Sequence, residues 1–440
     1  MIIMKFGGSS VANRDQIRKV LEIVKTRIDR KPVLICSAHK GITDALLNAA
    51  RGAVQRHYSL PDVIDLQSEI ADELGCPKAL LTELLQEISD LLRGIGLVRE
   101  LSPRSLDYIA SFGERMSVRC VADFFTRQGL KAQAFDIWDL GFITNEEFGS
   151  ARPLPGFRER MQEAFREKVP SDVLPVVTGF IGKSANGEIT TLGRNGSDLT
   201  ATLTGAALDA EEVEIWTDTD GVMTADPSVV PNARNIPHMR FDEAAELAHF
   251  GGRVLHPSTL LPAMEQNIPV RVLNTNRPDH PGTVIDRDGE GKTTGVTSVA
   301  YKERQAILTI TSTGMLQQAG YLAGVFQVLA KWGVVVDVIS TSEISVSLST
   351  DRPDLLNQAL PELEAFGTCE VHTDKTILAV VGPDLSHQRG LGGEILAAAE
   401  KAGASVHMIS VGLKSINFSM VIDDQDIANV VPILHQSLFE

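Results

Sequence analysis

Met1-Ile2-Ile3-Met4-Lys5-Phe6-Gly7-Gly8-Ser9-Ser10-Val11 is the stretch on which the reading of this 440-residue chain turns. The apolar run to Phe6 reads as a strand, and Gly7-Gly8-Ser9-Ser10 closes it. Asn13 as a cap, with Gln16 three residues on, then predicts a helix whose apolar face is Ile17, Val20, Leu21, Val24 and Ile28. The same phrase recurs downstream. Val33-Leu34-Ile35-Cys36 runs into Ser37-Ala38-His39-Lys40-Gly41 and a further helix, and more strands are expected at 173–178, 213–217 and 270–274. That alternation is an α/β pattern, a mostly parallel sheet sandwiched by helices over residues 1–285. In such sheets ligands bind beyond the carboxyl ends of the strands, so the loops after these runs are where chemistry is expected.

Composition narrows the partners. With 41 basic and 57 acidic residues the net charge is −16, a field that repels nucleic-acid backbones and anionic membranes alike. No apolar run reaches the ~18 residues a membrane helix needs. The cysteines Cys36, Cys76, Cys120 and Cys369 have no CxxC or metal spacing, and no signal-peptide run precedes Gly7, so a reduced, cytoplasmic location is expected.

Beyond the polar, glycine-rich stretch Asp286-Arg287-Asp288-Gly289-Glu290-Gly291-Lys292, read as part of a linker over 286–300, the text repeats itself. Ile307-Leu308 returns as Ile377-Leu378, Gly320 as Gly390, Gly333 as Gly403 and Ile339-Ser340 as Ile409-Ser410, always 70 residues on. Two ferredoxin-like βαββαβ units are expected, at 301–373 and 374–440. They hold no nucleophile–base constellation, so they read as a sensor or as a structural dimerisation module.

Four segments of the first 285 residues carry chemistry. Lys5-Phe6-Gly7-Gly8 sets a cation and a close-approach backbone at a strand end, an anion site in outline or an ordinary tight turn; it is not a P-loop, because the lysine precedes the glycines. In Thr191-Leu192-Gly193-Arg194-Asn195-Gly196-Ser197-Asp198, Arg194 can fork onto a carboxylate beside a helix start near Ser197, or Ser197 or Asp198 can be a cap and Arg194 a solvated charge. Ser111-Phe112-Gly113-Glu114-Arg115 lies in a helical stretch read as broken at Gly113; its glutamate can accept from an ammonium group or pair with a neighbouring arginine. The carboxylates of Trp216-Thr217-Asp218-Thr219-Asp220-Gly221 could hold Mg²⁺ through water, bind a ribose and base, or simply shape turns. Taken together, these loops imply phosphoryl transfer to a small acidic acceptor.

At these positions the chain resembles the aspartate kinases of the amino-acid kinase family. The resemblance rests on Lys5 to Val11, Ser111 to Glu114, Thr191 to Asp198, Trp216 to Gly221, Phe250-Gly251-Gly252-Arg253-Val254-Leu255-His256-Pro257 and Thr341-Ser342-Glu343, and the two repeats correspond to tandem ACT modules. It implies transfer of the ATP γ-phosphoryl group to the side-chain carboxylate of L-aspartate, with ATP as its Mg²⁺ complex and no tightly bound cofactor. It implies Lys5 and Asp198 as catalytic residues. The amino-acid pocket would be Ser37, Thr43, Glu114, Phe180, Arg194 and Ser197. The nucleotide would meet Lys5, Gly7, Gly8, Ser9, Thr217, Asp218, Met223, Arg253 and Val254. Met223, Ser228 and Arg253 stand where relatives often carry tyrosine, arginine and lysine.

The resemblance further implies feedback inhibition. Met315, Gln318, Tyr321, Leu322, Val335, Val336, Asp337, Ser342 and Glu343 fall where lysine-sensitive relatives bind effector, and the carboxylates of Asp337 and Glu343 suit a lysine ammonium. Self-association through the ACT modules, as a homodimer or dimer of dimers, is expected. The rivals are a kinase of the same family acting on glutamate, acetylglutamate or carbamate, and a non-catalytic amino-acid sensor.

Overall fold

The computed structural model describes residues 1–55, 60–251, 255–291, 295–316 and 318–440, and its chain divides into two compact units. Strands and helices are numbered in chain order.

The first unit spans 1–222 and 254–289. Its sheet is built from β1 (Ile2–Phe6), β2 (Pro32–Cys36), β3 (Ala132–Phe135), β5 (Leu174–Thr178), β8 (Glu212–Thr217), β10 (Val270–Asn274) and β11 (Thr283–Asp286). They lie in the order β3-β5-β2-β1-β8-β10-β11, all parallel except that β11 runs antiparallel to β10. Near-continuous burial along β1, β2 and β5 is what a parallel sheet covered on both faces requires. β1 is the hinge of the topology: the chain leaves it for β2 on one side and later fills the other side with β8. The crevice at such a reversal is where ligands bind in doubly wound sheets. A small second sheet joins β4 (Ile143–Thr144), β6 (Ile181–Ser184) and β7 (Ile189–Thr191).

Helix α1 (Arg14–Lys25) begins as its cap dictates, with the Gln16 N–H donating to Asn13 Oδ1 at 3.1 Å, and it buries Ile17, Val20, Leu21 and Val24. It stops before Ile28, which lies in a separate turn. On one side of the sheet α2 (Ile42–Val54), α3 (Leu60–Leu74), α4 (Thr82–Val98) and α5 (Pro103–Arg127) share a core with β1 and β2. α6 (Phe157–Lys168) packs on α7 (Gly196–Ala207), which is buried throughout and packs on α9 (Pro257–Gln266) and β1. The expected break at Gly113 is absent: α5 runs through it for 25 residues. The glycine serves a close approach instead, since a Cβ there would stand 2.7 Å from Ala38 Cβ.

The second unit spans 223–253 and 290–440 and includes β9 (His238–Arg240) and α8 (Phe241–His249). Its six-stranded antiparallel sheet runs β13 (Ile339–Thr341), β14 (Ser345–Thr350), β12 (Ser298–Thr311), β15 (Thr368–Val381), β17 (Asn417–Asp423), β16 (Met408–Ser410). Helices α10 (Tyr321–Lys331) and α11 (Pro353–Leu363) pack together, as do α12 (Leu391–Lys401) and α13 (Ile427–Phe439). The 70-residue repeat is visible in the backbone: Gly320 and Gly390 cap α10 and α12 at φ 86° and 90°, and Arg304 and Asp374 both turn to positive φ.

The units are not two self-contained stretches, as the repeat suggested. Residues 305–311 of β12 pair with the first half of β15, whereas 298–302 pair with 377–381 and put Val299 into the core of the second module. Register shifts between Lys302 and Ile307 separate the halves, so one 14-residue strand serves both modules. The stretch read as a linker therefore ends in this strand, and 223–253, expected in the catalytic domain, falls in the second unit. No helix of the described residues is long and apolar enough to cross a membrane.

Candidate active site

The site is built on the carboxyl ends of β1, β2, β5 and β8. Lys5, in register with Ile35 and Ile215, is the next-to-last residue of β1, and its Nζ lies 2.6 Å from Asp198 Oδ1 in the first turn of α7. Both side chains are about nine-tenths withdrawn from solvent (11% and 9% exposed), where a cation holds its place only against an opposite charge. Beyond Phe6 the chain folds tightly, with the Ser10 and Val11 N–H groups donating to Gly7 O at 2.9 and 3.2 Å. A Cβ on Gly7 would lie 3.3 Å from Lys5 Nζ, and one on Gly8 3.0 Å from Ala38 O. The two glycines thus let the loop settle between the lysine and the neighbouring loop.

After β2, Ser37 Oγ donates to Ser197 Oγ at 2.9 Å, and the Ala38 N–H donates to Glu114 Oε1 at 3.1 Å. Glu114 is buried and its Oε2 has no hydrogen-bond partner among the described residues. Burial pushes its carboxyl up to about 8, against which the Ala38 hydrogen bond pulls only partly. Thr43, in the first turn of α2, faces Gly113, whose absent Cβ would stand 3.4 Å from Thr43 Oγ1. His39 is also buried and bonds Val11 O through Nδ1 at 2.6 Å. Because a carbonyl can only accept, Nδ1 carries the proton, and burial drops this imidazole to about 4.

Phe180 follows β5 in a left-handed conformation, φ 67°, with its N–H held by Thr200 Oγ1 at 3.0 Å. Next to it Gly179 allows the start of α7 to close in, since a Cβ there would stand 2.7 Å from Ser197 Cβ. Neither Ser197 nor Asp198 is the cap: Asn195 is, and both lie inside the helix, facing Ser37 and Lys5. Arg194 is exposed on the loop just before α7. Lys5, Asp198, Ser37, Ser197, Glu114, Thr43 and Phe180 are thereby brought together around three loops and one helix start.

The carboxylates after β8 divide. Asp220 is bound by Asn274 Nδ2 at 2.7 Å and by Arg277, so it shapes the loop. Asp218 stays exposed, and Thr217 O accepts from the Thr275 N–H at 2.8 Å. Met223 lies in the second unit, bridged to Asn235, while Arg253 and Val254 fall outside the described residues. No group of three or more His, Cys, Asp or Glu among the described residues could hold a metal ion. A cavity of about 860 Å³ along α4 shares no residue with this site, and its Glu83, Glu87, Asp90 and Glu100 lining suits no anion. Sequence reasoning missed His39 and Gly179; only the loops that face them in space reveal their work.

In the second unit, Tyr321 is buried and its hydroxyl donates to Phe366 O at 2.8 Å, while Met315, Leu322 and Val336 pack against the first module's core. Gln318, Val335, Ser342 and Glu343 are exposed. Asp337 is already engaged, by Lys302 Nζ at 2.7 Å and His249 Nε2 at 3.1 Å. Burial raises its carboxyl, but those two donors outweigh burial and hold it below the ordinary value. Of the two carboxylates expected to meet an effector, Glu343 is the open one.

Residues 1–274 match the amino acid kinase family model. The chain belongs to the amino acid kinase family. As a member it is an ATP-dependent kinase, and residues 378–438 match the ACT domain, which joins an allosteric module to the kinase fold. Among curated relatives, "Aspartokinase 3, chloroplastic" of Arabidopsis thaliana is 39% identical over all of this chain and 81% of its own length. "Lysine-sensitive aspartokinase 3" of Escherichia coli is 36% identical, covering this chain fully and 99% of itself. Among solved structures, E. coli aspartokinase III in complex with aspartate and ADP aligns over the whole of both chains at TM-score 0.88 and 35% identity. The same protein in complex with lysine and aspartate aligns over the whole of both at 0.79. For this amino acid kinase family member, the residues gathered at the switch point all lie within the stretch that matches the family.

Proposed function

We propose that the chain is an aspartate kinase, converting ATP and L-aspartate into ADP and 4-phospho-L-aspartate, and that L-lysine inhibits it through the ACT modules. The observation that carries this reading is the convergence, at one sheet switch point, of a lysine–aspartate pair, a glycine loop and a buried glutamate with an open oxygen. The names of the relatives support it.

The acceptor carboxylate has a pKa near ~3.9 and is already ionised at neutral pH, so no general base is needed and catalysis reduces to positioning and charge neutralisation. ATP enters as its Mg²⁺ complex, and Lys5, with the backbone of Gly7, Gly8 and Ser9, neutralises the transferring phosphoryl group. The 2.6 Å contact supports Asp198 as the residue that orients Lys5. Arg194 forks onto the α-carboxylate of aspartate, Glu114 takes its ammonium, and Ser37, Thr43, Phe180 and Ser197 complete the pocket. Thr217 and Asp218 meet the nucleotide. Gln318, Tyr321 and Glu343 belong to the effector site with Met315, Leu322, Val335, Val336 and Ser342. The enzyme works in the cytoplasm as a homo-oligomer joined through its ACT modules, a setting that agrees with its four free cysteines.

The test is ADP release with candidate acceptors. Turnover with aspartate but not glutamate, acetylglutamate or carbamate is expected; the reverse pattern would sink the proposal. Arg194→Ala should raise KM for aspartate at least tenfold and that for ATP far less.

A further inference from the structure

From the geometry of α5 we infer that Asp107 is a positioning residue for aspartate, acting through the loop that carries Arg194. The inference rests on the reading that Arg194 and Glu114 grip opposite ends of the amino acid.

Asp107 is 4% exposed, and no cation pairs with it among the described residues. Three donors hold it instead: Oδ2 accepts from the Gly149 N–H at 2.9 Å and the Thr191 N–H at 2.8 Å, and Oδ1 accepts from Thr191 Oγ1 at 2.9 Å. Burying a carboxylate without a counter-charge is costly, and a neutral loop anchor would avoid that cost. What the carboxylate holds is specific. Thr191 ends β7 three residues before Arg194, and its carbonyl accepts from the Ala151 N–H at 2.9 Å. Gly193, at φ 83°, passes so close to the 149–151 strand of chain that a Cβ would stand 3.0 Å from Gly149 O. One side chain thus pins both segments that shape the approach to Arg194.

The same helix holds the other end of the pocket. Glu114 lies seven residues after Asp107, two turns on and on the same face, about 10.5 Å along the axis. α5 therefore acts as a ruler: Asp107 sets where the α-carboxylate is gripped, and Glu114 where the ammonium is received. Asparagine can replace Asp107 without loss of the tether, since its carbonyl accepts both N–H groups and its amide donates to Thr191 Oγ1. Alanine cannot.

The experiment measures KM for aspartate and for ATP, and kcat, in full-length wild type, Asp107→Ala, Asp107→Asn, Arg194→Ala and the Asp107→Ala/Arg194→Ala double variant. Asp107→Ala should raise KM for aspartate about tenfold with KM for ATP within twofold, Asp107→Asn should stay within about threefold of wild type, and the Asp107 effect should largely vanish once Arg194 is gone. Equal losses for both substrates, no rescue by asparagine, or an undiminished effect in the Arg194→Ala background would overturn the inference. If Arg194→Ala itself leaves KM for aspartate unchanged, the reading of the pocket fails, and this inference with it. Should Asp107→Ala fail to fold, Thr191→Val, which deletes one of the three bonds, carries the test: a selective rise of a fewfold in KM for aspartate supports the tether and no change refutes it.

Discussion

Glu114 carries a proton in the empty enzyme at neutral pH, because burial lifts its carboxyl from 4.5 to about 8. Between those values the folded chain keeps a proton that the unfolded chain releases, so this group's contribution to stability falls as pH rises through the window and levels off above it. In the proposed role, an ammonium arriving at Glu114 would reverse the balance and expel the proton. Calorimetry in two buffers of different ionisation enthalpy should therefore show proton release on aspartate binding near pH 7, and aspartate affinity should climb toward pH 8. Glu114→Gln should abolish both; proton uptake instead would contradict the assignment. At this scale the sequence was informative wherever chemistry sits in a continuous phrase, as with Lys5-Phe6-Gly7-Gly8 or Ser197-Asp198. It was silent on His39, whose role depends on Val11 O lying across a gap that no local spacing encodes.

Elements were legible by period and less so by partner. The strands expected at 173–178 and 213–217 are observed as Leu174–Thr178 and Glu212–Thr217, because runs of β-branched residues leave little choice. Gly113 misled, since a glycine in a helix reads locally as a weak point. Its reason is tertiary, and that gives a sign test. In an open helix glycine to alanine stabilises by ~1 kcal/mol. Here the new methyl group would press on Ala38, and overpacking costs about 1–3 kcal/mol. Gly113→Ala should thus lower thermal stability and raise KM for aspartate by displacing the Ser37–Ala38 loop; a more stable, fully active variant would refute the close approach. The shared strand β12 escaped the sequence for a similar reason, because a repeat announces similarity, not which neighbour completes each sheet. Val299→Ala, by removing methyl groups from the second module's core, should cost about 1–2 kcal/mol and speed hydrogen exchange in Ile377 to Val381 more than in β14.

For the molecule as a whole, a net charge of −16 disfavours polyanions as partners, and the two proposed substrates are themselves anions. On the proposed reading, binding would then depend on few local donors, Lys5 and Arg194 first among them, while the surrounding field disfavours approach. A cationic effector gains from the same field. Lysine inhibition should weaken as salt is added, by more than the aspartate KM changes, and Glu343→Ala should relieve it while leaving uninhibited turnover near wild type. Persistence of full inhibition in that variant would place the effector elsewhere.

The strand that runs from Ser298 to Thr311 also limits what evolution can do with the regulatory half. A tandem array of independent repeats can grow by duplication, each copy arriving with its own complete sheet. Here the later copy is finished by chain that precedes the earlier one, so the pair is closed, like a clasp whose two halves share a single pin. A third 70-residue copy appended at the end would have no strand left to complete it, whereas the first lies between Lys302 and Ile377, which pair across β12 and β15, so its loss would leave the second with all its strands. The order of strands thus makes the pair easier to shorten from within than to lengthen at its end.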